Sequence, residues 1–421
     1  MTRKVKTILT LIFITGFVFA GSSGAADPVV KVGAVYPLSG ATASTGKDLK
    51  QGIELALEII NNAHPEFNLP MAKEAGLTKL GGKKIEVVFA DHEGKPDKAK
   101  AEAERLITQE KVVALLGCYH SSATKTASLA AEQVGMPFLN PESTSAALTD
   151  RGYKWFFRTT PHDGTFAENA FQFMDEMNRQ KNAGLKNVAV VYENTDFGKG
   201  FAEFANKFAP KYGFNLTADI TYAAKTQSVT AEVQKIKASN PDAVLFVSYD
   251  SDAILFMKTF KELGFAPKLV WANDAGFVAS GFLENLGKDG EFIMTREVWA
   301  ADLAKAKPIV KQINDLYKAK YNMDMNGSSA RTFTGMLVLA DAINRAGSTE
   351  PDKIRAALQA TNIPADQLIT PWKGIQFDET GQNKLGTGIM VQVLGGNYTT
   401  VWPFNVAVAN LVYPFPAWDK R

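Results

Sequence analysis

VVKVGAVYPLSGATASTGKDLKQGIELALEIINNA, Val29 to Ala63, decides the architecture. Its opening, Val29 to Gly40, is β-branched and apolar and ends in Pro37 and Gly40, which predicts a strand buried on both faces. From Gly46 onward the apolar residues Leu49, Ile53, Leu57 and Ile60 recur at helical spacing. The segment therefore reads as strand, loop and amphipathic helix.

The same alternation continues outward. KIEVVFAD (Lys84–Asp91) predicts a strand, and Pro96–Glu110 a helix with proline in its first turn. Val112–Leu116 predicts a strand, followed by GCYHSSATKTASLA (Gly117–Ala130) and a helix that Gly135 closes. Met136–Asn140 is the next strand, Gly164–Gln180 a helix and Asn187–Glu193 a strand. Lys199–Tyr212 and Ser228–Ser239 predict helices, Ala243–Ser248 a strand, Ser251–Leu263 a helix and Lys268–Ala272 a strand. Helices are expected again in Pro308–Tyr321, Thr332–Ala346 and Pro351–Ala360, before a hairpin-like tail, GTGIMVQVLGGNYTTVW. Such alternation implies an α/β fold of parallel sheets with helices on both faces.

In open parallel sheets, ligands bind beyond the carboxyl ends of the strands. That rule selects the loops Pro37–Gly46, Gly117–Ser122, Pro141–Ser145, Asn194–Gly200, Ser248–Ser251 and Asn273–Gly276.

The start of the chain points to export. Arg3, Lys4 and Lys6 precede an apolar run, Ile8–Ala20, too short for a bilayer span of about 20 residues. Small residues follow, and Gly24 and Ala26 suit a signal-peptide cut after Ala26. No cysteine stands near that cut for lipid attachment. Loss of the three basic residues takes the formal charge from +2 to −1, so nothing predicts a nucleic-acid partner. The remaining chain of about 395 residues suits two domains. With Cys118 alone, no internal disulfide is possible, and the fold must rest on a large apolar core.

Gly117–Ala130 gathers Cys118, His120, Ser121 and Ser122. Catalysis there is disfavoured. Members of a nucleophilic triad converge from separate segments, and no G-x-S-x-G elbow surrounds a serine. The four histidines share no metal-ligand spacing, and no glycine-rich phosphate loop is present, so no metal or cofactor is expected. A binding role explains more. Ser121 stands where a helix follows a buried strand, and unpaired N–H groups there favour an anion such as a carboxylate. Thr144, at the adjacent strand end, would add a second hydroxyl. The alternative, that Ser121 only caps its helix, stays open.

The order and spacing of several stretches carry a resemblance. They are KVGAVYPLSGATASTGKDLKQGIELALEIIN, GCYHSSAT, PFLNPESTSAALTDRGYKWFFRTTP, VAVVYENTDFGKG, PDAVLFVSY and PWKGIQFDETGQ. Over essentially the whole mature chain, the sequence resembles type I periplasmic solute-binding proteins of ABC importers, in the leucine/isoleucine/valine-binding branch. The resemblance implies two Rossmann-like lobes joined by a three-strand hinge, with crossings near Thr160, Thr295 and Leu385. The first lobe would comprise residues 27–160 and 298–384, the second 161–294 and 388–421, after a signal peptide of 1–26.

It further implies that Ser121 and Thr144 hold a ligand carboxylate, with backbone near Tyr119 and Glu142 assisting. Asp274 would hold the ammonium, Phe197 and Tyr249 would cover the ligand, and Thr45 stands where the family often has a pocket aromatic. Asp274 in place of glutamate, and the bulk of Tyr119 and Glu142, put leucine itself in question. The expected protein is a monomeric periplasmic receptor, not an enzyme. It would carry a branched-chain or other aliphatic amino acid to a membrane permease and its ATPase. Alternatives are an aromatic acid, an amide or urea as ligand, or a sensory role.

Overall fold

A computed structural model describes residues 29–421, and the expected signal peptide lies outside them. The chain runs β1 (Val29–Tyr36), α1 (Ala43–Asn61), β2 (Lys84–Asp91), α2 (Pro96–Thr108), β3 (Leu115–Gly117), α3 (Ser121–Val134), β4 (Phe138–Asn140) and β5 (Phe156–Arg158). These five strands form one parallel sheet in the order β2-β1-β3-β4-β5.

A second pass follows with α4 (Asp163–Lys181), β6 (Asn187–Glu193), α5 (Asp196–Lys211), β7 (Asn215–Tyr222), α6 (Thr230–Ala238) and β8 (Ala243–Val247). It ends with α7 (Asp250–Glu262), β9 (Leu269–Ala272), α8 (Ser280–Leu286) and β10 (Met294–Glu297). Strands β6 to β10 repeat the order of the first sheet, β7-β6-β8-β9-β10, again in parallel.

The chain then adds α9 (Pro308–Tyr321), α10 (Gly327–Ala346) and α11 (Pro351–Gln359), followed by the short pair β11 (Asn362–Pro364) and β12 (Gly374–Gln376). Finally β13 (Ile389–Leu394) and β14 (Asn397–Trp402) extend the second sheet as an antiparallel hairpin beside β10. Gly395 and Gly396, both with positive φ, make the hairpin turn.

Helices α9 to α11 belong spatially with the first sheet, although they follow the second in sequence. α10 is buried over most of its length and lies against α1. Gly52 permits that approach, since a Cβ there would come within 2.2 Å of the Ser329 carbonyl oxygen. Gly335 does the same over Pro141. The chain thus passes from first sheet to second after β5, returns after β10, and passes again before β13.

The continuous apolar strands behave as their composition requires. β8 is buried at every residue, and β6 at all but Asn187 and Tyr192, because helices cover both sheet faces. Sequence reasoning predicted no strand at β5, β7 or β10. β7 is the edge of its sheet, and half of its residues are exposed. β10, Met-Thr-Arg-Glu, is wholly buried despite its polarity. Among the described residues, no helix is long and apolar enough to cross a membrane.

Candidate functional site

The 2-1-3-4-5 order places a crevice at the carboxyl end of each sheet, and the two crevices face each other. One cavity, of about 10 Å³, lies between them. Tyr119, Ser121, Glu142 and Thr144 reach it from the loops after β3 and β4, and Phe197, Tyr249 and Asp274 from those after β6, β8 and β9. Thr45 is not among its lining residues. It stands at the start of α1, where its hydroxyl donates across the cleft to Asp250, at 2.8 and 3.0 Å from the two oxygens.

The β3–α3 turn is stitched tightly. Asn140 donates its side-chain N–H groups to the Gly117 and Cys118 carbonyls at 2.8 and 2.9 Å. The Ser143 hydroxyl donates to the carbonyls of Cys118 and Tyr119. Thr124 accepts from the Cys118 N–H at 3.1 Å. Gly117 is required by its φ of 137°, and a Cβ would strike the Val35 carbonyl at 2.4 Å. Ser121 is the first residue of α3, with His120 as its cap. Its oxygen accepts from the Ser145 N–H at 3.3 Å, which joins the loops after β3 and β4. Cys118 is buried and burial pushes its thiol up, so it is no nucleophile at neutral pH.

Aromatic rings close the second-lobe side. The Tyr249 ring centroid lies 5.1 Å from those of Tyr119 and Phe197 and 4.4 Å from that of His120. The Tyr119 hydroxyl and the Thr144 hydroxyl are buried without a hydrogen-bond partner. Glu142 accepts from the Tyr36 hydroxyl at 3.1 Å through one oxygen, and its other oxygen is unpartnered.

Two arginines that sequence reasoning did not select complete the lining, Arg296 and Arg331. Arg296, on β10, donates to Asp274 at 2.5 Å and to the Asn273 side chain at 2.8 Å, and its guanidinium sits 3.7 Å from the Phe166 ring centroid. Arg331, on α10, reaches across the cleft to the same Asp274 oxygen. The other Asp274 oxygen accepts the Ala275 N–H at 2.6 Å. Asp274 is therefore not a free carboxylate awaiting an ammonium. Burial alone would raise its pKa, but Arg296 and Arg331 hold it below the usual range. A signal for Arg331 existed. In the buried helical run GSSARTFTGMLVLADAI it is the only cation, and a buried charge needs a partner.

Burial governs the remaining acids. Burial pushes Glu142 well above the usual carboxylate range, against the pull of Arg331. Burial raises Glu297, beside Arg331 at the start of α10, to about 8. It raises Asp250 to about 7.

Residues 29–397 match the sequence model of the periplasmic binding protein family. The chain belongs to that family. This binding protein is 27% identical over 391 residues to a Leu/Ile/Val-binding protein homolog 8 of Brucella abortus, covering 91% of this chain and 92% of the relative. To a Leu/Ile/Val-binding protein homolog 7 of Brucella suis it is 26% identical over 396 residues, covering 91% and 94%. Its fold is similar to that of the leucine binding protein LivK from Thermotoga maritima, with a TM-score of 0.75 at 24% identity over 90% of this chain and all of that one. It is equally similar in fold to an ABC transporter solute binding protein of Rhodopseudomonas palustris BisB5 in complex with 3,4-dihydroxy benzoic acid, with a TM-score of 0.74 at 20% identity, covering 94% and 100%. The family consists of binding proteins, and this chain is one of them rather than an enzyme.

Proposed function

We propose that this binding protein is the solute receptor of an ABC importer, exported to the periplasm after cleavage behind Ala26. It would capture a small amino acid or related carboxylate between its lobes and deliver it to a membrane permease and ATPase. The lobes would be residues 27–160 with 298–384, and 161–294 with 388–421. The closed cavity has little more than a water's room, so a solute enters only when the two sets of loops part.

The observation that carries this reading is the charge of the cavity wall. Arg296 and Arg331 converge on Asp274, while burial pushes Glu142 well above the usual carboxylate range. The two guanidiniums share one oxygen of that single carboxylate. A carboxylate on Ser121, the first N–H groups of α3 and the unpartnered Nε of Arg331 would be held beside them. With Asp274 taken, an α-ammonium would turn to the free oxygen of Glu142. The names of the curated relatives support an amino acid with an aliphatic side chain. An aromatic acid is the second reading, supported by the ring cluster of Tyr119, Phe197 and Tyr249 beside two arginines.

The test is a thermal-shift screen of the exported chain, unfolded and refolded to strip bound solute. A ligand at a hundredfold excess over Kd adds about 2.7 kcal/mol, which an amino acid should show and Ser121→Ala should lose. A midpoint raised by benzoates and by no amino acid would transfer the site to aromatic acids.

A further inference from the structure

A second chamber, of about 110 Å³, adjoins the first between the lobes. Tyr249 lines both, and consecutive residues of α3 divide between them: Ser121 faces the first and Ser122 the second. The first lobe contributes Thr42 and His120, and the second Glu193, Lys225 and Asp252.

Glu193 ends β6, is 1% exposed, and accepts the Thr195 hydroxyl at 2.6 Å through one oxygen. Among the described residues, its other oxygen has no hydrogen-bond donor and no cation within ion-pair distance. Asp252 is 2% exposed and already accepts from the Lys225 N–H at 2.9 Å and the Ser251 hydroxyl at 3.1 Å. The Lys225 ammonium donates to the Glu93 carbonyl at 3.4 Å and forms no ion pair with Glu193, although its charge acts on it. His120 is 8% exposed, and its Nδ1 has no partner. Behind it lies His92, at 5.4 Å between ring centroids, and behind Glu193 lies the unpartnered Tyr222 hydroxyl. Two acids thus face one peripheral lysine. The free Glu193 oxygen faces the chamber with no cation in contact.

We propose that this chamber is the side-chain subsite, and that it selects an amino acid whose side chain ends in a cationic donor, an ammonium or guanidinium, seated on Glu193. This rests on the interlobe amino-acid site proposed above and replaces the aliphatic side chain that the relatives' names suggest with a cationic one. The cation would gain the free Glu193 oxygen, the unpartnered His120 Nδ1 as acceptor and the face of Tyr249. An aliphatic side chain there would leave the free Glu193 oxygen without a partner. Burial keeps His92 and His120 neutral, so neither repels the cation.

Glu193 supplies an independent readout. Burial raises it to about 8, so at pH 7 it is mostly protonated. A cation beside it favours the carboxylate, and the displaced proton goes to solvent. Calorimetry at pH 7 in phosphate and in Tris should therefore show close to one proton more released when lysine or ornithine binds than when norleucine binds. Lysine should bind about tenfold or more tightly than norleucine. Glu193→Gln should remove both the preference and the extra proton release, with lysine falling to about the affinity of norleucine. Lys225→Met, at the exposed rim, should tighten lysine binding about two- to fivefold. Norleucine or leucine binding as tightly as lysine would overturn the side-chain assignment and leave the amino-acid site standing. If no amino acid binds, or Ser121→Ala weakens none that does, the site assignment itself falls and this inference with it.

Discussion

Closure of the cleft should weaken measurably when one hydroxyl, that of Thr45, is removed. It lies on α1 in the first lobe and is fully buried, and it donates to Asp250 at the start of α7 in the second. Among the described residues, the only other hydrogen bond from the first lobe to that carboxylate is from the Thr45 N–H, at 3.3 Å. Thr45→Val keeps the shape and removes the donor. A hydrogen bond to a charged group contributes about 1.5–3 kcal/mol, against about 0.5–1.5 for a neutral one. Burial places Asp250 at about 7, so the group is mostly ionised at pH 8 and mostly protonated at pH 6. The bond spans the lobes and is broken whenever they part, so its loss weakens the closed form alone. Ligand affinity should fall by about 10- to 150-fold at pH 8 and by about 2- to 12-fold at pH 6, provided that the free protein is mainly open. Titration calorimetry with wild type and variant at both pH values measures this, with the unliganded melting midpoint as the control for folding. An affinity within twofold of wild type at pH 8 would show that the Thr45–Asp250 contact does not hold the lobes together.

Other consequences follow from burial. Asp163 is raised to about 6, Asp250 to about 7, and Glu193 and Glu297 to about 8. A raised carboxyl stabilises the fold fully below its unfolded pKa, and that contribution is lost as pH rises through the folded value. His92 and His162, lowered to about 4 by burial, contribute fully above 6.5 and are constant there. Between pH 6.5 and 7.5 the unfolding free energy should therefore fall by at least about 1.4 kcal/mol, read from urea midpoints; a flat profile would mean that these carboxyls are solvated. Cys118 is buried with a raised thiol, so a disulfide reagent should leave the native protein unmodified and label it fully in denaturant. In Gly198→Ala the new methyl would meet the Glu193 carbonyl at 2.0 Å, and the variant should lose about 1–3 kcal/mol by urea unfolding, since backbone must move.

Sequence conveys the parts of this fold whose physics is local. β1, β6 and β8 are continuous apolar runs, and α1 carries its buried stripe at Leu49, Ile53, Ala56 and Ile60, so both are readable without a neighbour in view. The same holds for the loops at strand ends, because strand order alone makes them converge. β10 is different. Its Thr295, Arg296 and Glu297 are buried only because Asp274 N–H, Asn273 and Gly327 N–H, all distant in sequence, supply their partners. Thr45 was placed by resemblance at the ligand, whereas the structure turns it toward Asp250. Arg331 lies 57 residues beyond Asp274, on a helix that returns to the first lobe, and no local pattern joins the two.

That return sets the selectivity of the cleft. Without α10 folding back over the first sheet, Asp274 would face an incoming ammonium with only Arg296 beside it. With Arg331 reaching it from the opposite lobe, the same acid becomes part of the cation site, and the wall is complementary to a carboxylate. The neighbouring chamber has the opposite need, with Glu193 and Asp252 facing inward. A dicarboxylic amino acid would satisfy the first site and place its second carboxylate beside Glu193 and Asp252, whose ionisation it would oppose. A diamine without a carboxylate would fail at the first site, where the unpartnered Nε of Arg331 would gain no acceptor. A solute with an anionic end and a cationic end meets both walls, so the two chambers together exclude more solutes than either does alone.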